Sequence, residues 1–189
     1  MIVHTNRRGK AFYLHERRTA SGKKKYVFSF VKEGPFVESI PEGYEVYENP
    51  NGQVFLRLII PQLVTDEELR LVQNGVRRHA GIDYAIVEAR SNLLIVLLPG
   101  QDLDYLASIM KPEKGVLGPK AREALVRNLS YNPRLRFVMT DADKRLFEVQ
   151  RMSYLGTGGW STIASAAPLA TQVRKFSHHL GDKSFFEQI

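Results

Sequence analysis

Strand-like runs come in pairs along this sequence, each pair closed by a turn of a few residues, and that spacing restricts the fold more than any other feature. Antiparallel neighbours can be joined by a tight hairpin, whereas parallel neighbours need a crossover of a dozen or more residues. Residues 11–18 (AFYLHERR) and 25–32 (KYVFSFVK) flank TASGKK, and residues 43–48 and 53–60 flank Pro50, Asn51 and Gly52. Asn-Gly supplies the positive backbone dihedrals of a hairpin turn, which makes this the clearest local signal in the chain. Further pairs are 83–90 with 93–98, across Ser91 and Asn92, and 134–140 with 145–154, across Asp141 to Lys144. Strand pairs without regular βαβ alternation indicate α+β rather than a doubly wound parallel sheet.

Helices fill the intervals. Thr65 and Glu68 form a T-x-x-E capping box, Leu69, Val72, Val76 and His79 follow at helical spacing, and Gly81 is the stop. A short helix is expected from Asp102 to Met110, another from Pro119 with Ala121, Leu125 and Leu129 on one stripe, and a last one over Pro168 to Leu180 carrying Leu169, Val173 and Phe176. The expected architecture is therefore α+β, with several antiparallel β-hairpins and about four helices packed on the sheet. Residues 1–62 are expected to form a basic N-terminal β-hairpin lobe and 63–189 an α+β core, the two making one compact unit.

The formal charge of +7 is concentrated at one end. Residues 1–33 contain nine Lys or Arg (Arg7, Arg8, Lys10, Arg17, Arg18, Lys23, Lys24, Lys25, Lys32) against Glu16 and Glu33, a local +7, while the other 156 residues balance at 18 against 18. Clustered Lys and Arg release counterions from phosphates, so a polyanion partner is one reading. The other is an internally paired face, because Glu38, Glu42, Glu45 and Glu48 follow with no basic residue among residues 34–52. A second basic stretch, Lys111 to Arg136, would enlarge the surface if the fold set it beside the first. Alternation along residues 11–18 places Tyr13, His15 and Arg17 on one face, where an aromatic ring among cations could stack on a base. Phe28 and Phe30 are expected in the core.

Chemical motifs are scarce. There is no Cys, hence no disulfide, thiolate metal site or thiol nucleophile, which fits a reducing, cytoplasmic setting. No apolar run approaches the roughly 20 residues of a membrane helix, and the N-terminus lacks a secretory pattern. Gly156, Gly158 and Gly159 lack the third glycine of G-x-G-x-x-G and no G-K-[ST] follows; adjacent His178 and His179 are not the i, i+4 pair of H-E-x-x-H. Asp141 and Asp143 read as hairpin-turn chemistry rather than a metal site. No catalytic residue, metal or cofactor is expected. Phe185, Phe186 and Ile189 are expected to dock into the core or into another subunit.

YENPNGQVFLRL, the LGTGGW segment and the closing LGDKSFFEQI together resemble a family of uncharacterised bacterial proteins of similar length, over most of the chain. The resemblance implies a shared fold and supplies no activity, cofactor or catalytic residue. Two function classes are thus expected. The first is a non-enzymatic protein that binds DNA or RNA through Arg7, Arg8, Lys10, Tyr13, Arg17, Arg18, Lys23, Lys24 and Lys25. The alternative is a protein-interaction or homo-oligomerising module that uses a sheet edge and the apolar C-terminus.

Overall fold

The computed structural model describes residues 1–101, 106, 118–153, 159–182, 185 and 186. It is α+β, with ten strands in three sheets among the described residues and every one of their pairings antiparallel. The chain divides into two compact units, Met1–Ile59 with Leu103–Ser130, and Ile60–Asp102 with Tyr131–Ile189. Of the described residues, 1–59, 106 and 118–130 belong to the first unit and 60–101, 131–153, 159–182, 185 and 186 to the second.

The first unit contains β1 (Val3–Thr5), β2 (Ala11–Arg18) and β3 (Lys24–Ser29) as one sheet, and β4 (Tyr44–Glu48) with β5 (Val54–Leu58) as a second. Phe12, Leu14, Phe28 and Val54 form its core. Its three hairpin turns share one geometry. In Asn6–Lys10, Thr19–Lys23 and Asn49–Gln53 the first residue's N–H donates to the fifth residue's carbonyl, and the fourth, always glycine, donates back to the first. Gly9, Gly22 and Gly52 have φ of 74°, 79° and 74°, the left-handed conformation that favours glycine. The side-chain oxygen of Asn6, Thr19 or Asn49 accepts the N–H of the fifth residue, at 2.9, 3.1 and 3.0 Å. Asn51 does not take the positive φ expected of an Asn-Gly pair, because the loop is five residues long and only its fourth position needs it.

A helix α2 (Pro119–Asn128) belongs to this unit and buries no residue of its own. Its C-terminal end is held by the β1–β2 turn. Arg7 donates to the Val126 carbonyl at 3.4 Å, and Arg8 to those of Asn128 and Leu129 at 3.4 and 3.2 Å. Carbonyls at a helix end lack intrahelical donors, and guanidinium groups satisfy them with a favourable charge.

The second unit consists of α1 (Asp66–Ala80), a five-stranded meander and α3 (Leu169–Phe176). The strands are β6 (Ile86–Arg90), β7 (Leu93–Pro99), β8 (Tyr131–Asp141), β9 (Leu146–Ser153) and β10 (Gly159–Pro168), neighbours in sequence being neighbours in space. Val72 and Val76 of α1, Val173 and Phe176 of α3, and Leu94, Val96, Leu135, Phe137, Phe147 and Val149 of the sheet form the core. Three α-helices are present among the described residues, not about four; the helix expected over Asp102 to Met110 lies outside them apart from Leu106. The last helix also ends early, tightening at Ser177–Gly181 into a 3₁₀ turn. Phe186 is buried in this core, and Ile189 lies outside the described residues.

Thr65 and Glu68 make both bonds of the capping box, and Gly81 ends α1 at φ 65°. Glu68 also binds Arg145 of the β8–β9 turn, with Arg145 Nε donating to Oε1 at 2.9 Å and Nη2 to Oε2. Where α1 crosses α3, a Cβ on Gly75 would stand 2.1 Å from Val173 Cγ1. Removing glycine from mid-helix gains about 1 kcal/mol, but overpacking costs roughly 1–3 kcal/mol, and at that separation the clash dominates. Gly75→Ala should therefore lower stability by about 1–2 kcal/mol in urea titrations, with Val173→Ala in the same chain recovering most of the loss.

Candidate nucleic-acid interface

The β2–β3 hairpin carries its cations to one end. Arg17 pairs with Lys25 and Arg18 with Lys24 across the strands, and Lys23 closes the turn. All five side chains are exposed. Lys24 meets Glu16 at 3.0 Å, whereas the side chains of Arg17, Arg18, Lys23 and Lys25 have no hydrogen bond or ion pair among the described residues. Five cations against Glu16 leave the tip at +4.

Two of the four carboxylates that could have neutralised this end are engaged elsewhere. Glu45 binds Arg57 at 2.8 Å; Glu48 takes His4 Nε2 and the Arg7 N–H, both at 2.8 Å. Glu38 and Glu42 are exposed and join no ion pair among the described residues.

The nine residues expected to act together do not form one surface. Arg7, Arg8 and Lys10 sit at the opposite end of β2 from Arg17 and Arg18, about 25 Å away at roughly 3.3 Å per residue. Arg7 and Arg8 are half-buried, with Arg7 also donating to the Pro50 carbonyl at 2.5 Å. Lys10 is exposed and stands 5.9 Å from the Phe30 ring centroid. Phe30 is itself 60% exposed although its ring lies on Phe12, because β3 ends at Ser29 and nothing continues over it.

Tyr13 is the clearest correction. It is only 9% exposed, so it cannot stack on a ligand base without being uncovered. β2 is the central strand of its sheet, and past the end of β1 residues 35–37 pair alongside it, with Phe36 bridging His15. The Glu16 N–H donates to the Pro35 carbonyl at 3.2 Å and the Val37 N–H to the Leu14 carbonyl at 3.1 Å. This sets the Phe36 ring beside His15 and near Tyr13, with centroids 5.1 and 6.2 Å apart. Phe36, which no pattern in the sequence singles out, takes Tyr13's place at the surface. With Glu16, Arg17, Arg18 and Pro35 it lines an open groove of about 740 Å³.

The second basic stretch is divided. Lys120, Arg122 and Arg127 lie on α2 in the first unit, Arg134 and Arg136 on β8 in the second, and Lys111 and Lys114 outside the described residues. Arg136 is stacked on Trp160 at 4.3 Å and donates to Gln150 at 2.6 Å, and its burial lowers its pKa. His179 stacks flat on Phe185 at 4.4 Å; desolvation first, then His178, lowers its pKa. No group of three or more His, Asp or Glu able to hold a metal occurs among the described residues. None of their helices is long and apolar enough to cross a membrane. Asp141 accepts the Lys144 N–H at 2.8 Å, as a turn residue does. Gly156 and Gly158 lie outside the described residues, and Gly159 opens β10.

Family models, curated proteins and solved structures contain no match to this chain.

Proposed function

We propose that the protein is a non-enzymatic nucleic-acid-binding protein that grips phosphates with the tip of the β2–β3 ribbon. The observation that carries this reading is the pairing of cation against cation, Arg17 opposite Lys25 and Arg18 opposite Lys24. Like charges directly opposite on a sheet destabilise it, by roughly 0.2–1 kcal/mol per pair. A polyanion laid along the tip turns that repulsion into attraction. Paired acidic neighbours would have made the tip an ordinary solvated face, but Glu45 and Glu48 bind Arg57, His4 and the Arg7 backbone instead.

The test is a titration of labelled single-stranded and duplex oligonucleotides at two salt concentrations, with the native protein and with Arg17, Arg18, Lys23, Lys24 and Lys25 all changed to Gln. If each cation meets one phosphate, a fourfold rise in salt should weaken single-strand binding on the order of 10²-fold, from a slope of about −0.7 per contact. The variant should bind more weakly and lose most of that dependence. Salt-independent or identical behaviour of the two proteins would refute the reading. Changing Lys120 and Lys32 instead should have little effect, as neither is on the tip.

A further inference from the structure

We infer that the groove beside the ribbon tip holds one nucleotide of a single strand, its base stacked on Phe36 and its flanking phosphates on Arg17 and Arg18. This rests on the polyanion reading and adds the class of nucleic acid. The groove, about 740 Å³, combines two side chains of one charge with an aromatic ring and Pro35. Cations follow a phosphate backbone whatever its strandedness, but an aromatic wall is of use only to a base whose π-face is free. Bases in a duplex are stacked on one another and do not present theirs.

Phe36 is built to keep its place. Its ring rests on the His15 imidazole at 5.1 Å, tilted 34°, and His15 is 4% exposed and fixed by a 3.0 Å hydrogen bond between Nε2 and the Val31 carbonyl. The backbone on either side is tied to β2 through Pro35 and Val37. Gly34 holds φ +118°, a conformation that L side chains rarely adopt, and a Cβ added there would stand 3.6 Å from the imidazole. The ring is thus held beside His15 and lines the groove, so little ordering is left for a base to impose. Glu16, the one carboxylate lining the groove, is neutralised by Lys24.

The experiment compares a short single strand carrying one fluorescent adenine analogue with a blunt duplex of equal length, for the native protein and for Phe36→Ala, Phe36→Leu and Phe36→Trp, each checked by its melting curve. Phe36→Leu keeps an apolar cover on His15 and Tyr13, so it separates lost stacking from lost folding. The expected result is quenching of the analogue by the native protein and single-strand affinity on the order of tenfold weaker in the Ala and Leu variants. The salt slope should stay unchanged because no charge is removed. Trp should restore both affinity and quenching. Equal single-strand affinity in the native and Leu proteins, or a duplex bound as tightly as the single strand, would overturn the inference while leaving the phosphate-gripping role standing. Failure of the native protein to bind either probe in a salt-dependent way would instead overturn that role itself.

Discussion

Phe147→Ala is expected to lower the stability of the second unit by about 3–5 kcal/mol, the range for deleting a buried aromatic ring from a packed core. Phe147 is 0% exposed on β9, paired with Met139 of β8 and Ala167 of β10, so strands flank it on both sides and cannot close over the cavity. Its carbonyl accepts Gln172 Nε2 at 2.9 Å, and the same amide group donates to the Ser165 carbonyl at 2.8 Å. This buried glutamine, 2% exposed, fastens α3 to β9 and β10, and a shift of β9 into the cavity would strain both bonds. For a chain of this size the loss corresponds to a melting temperature lower by roughly 10 °C, measurable by calorimetry. Because the ribbon has its own core around Phe12 and Leu14, oligonucleotide binding well below the transition should be unaffected. Binding lost in the folded variant would place the interface on the wrong unit.

Glu68→Ala should be the next most damaging change, at about 2–3 kcal/mol. One carboxylate performs two tasks here. It accepts the Thr65 N–H at 2.9 Å, completing the start of α1, and it receives Nε and Nη2 of Arg145, whose Nη1 and Nη2 also donate to the Leu63 carbonyl at 3.3 Å. Arg145 holds φ +50°, an uncommon conformation for a residue with a side chain, so its bonds also maintain the backbone of the β8–β9 turn. Glu68→Gln retains an acceptor for the cap but gives up the charge opposite Arg145, and should fall between native and Ala. Denaturant titrations of Glu68→Ala, Arg145→Ala and the double variant provide the cycle: a coupling energy near zero would show that the two residues act separately.

The hairpins were legible because alternation and turn residues are local properties, readable within ten residues or so. The start of α1 was legible for the same reason, since Thr65 and Glu68 are three residues apart. What escaped depended on distant chain. Alternation assigned Tyr13 correctly to the face of His15, yet could not reveal that residues 35–37 pair alongside β2 and bring Phe36 beside His15, or that both side chains are buried. A charge count treated Arg7 and Arg8 like Arg17 and Arg18, although the first two serve carbonyls some 120 positions later. Phe30 was expected in the core because KYVFSFVK reads as one strand, whereas the ladder stops at Ser29. The acidic residues after the ribbon looked like its neutralising partner by proximity in sequence, but their partners are set by the β4–β5 pairing and by His4.

The shared turn geometry separates how the ribbon is held from what it holds. At Thr19–Lys23 the loop is defined by a hydroxyl at the first position, a glycine at the fourth and backbone bonds at both ends; Ala20, Ser21 and the ammonium of Lys23 are not part of that frame. The frame does fix parity. With five residues in the loop, Arg17 with Lys25 and Arg18 with Lys24 are successive pairs on opposite faces, and one residue more or less between Arg18 and Lys24 would exchange the faces of Lys24 and Lys25 and break both pairings. The tip therefore tolerates changes of spelling but not of length: its letters can be exchanged to suit a different ligand, while an inserted or deleted residue would keep every charge but set each cation of the second strand against a different neighbour.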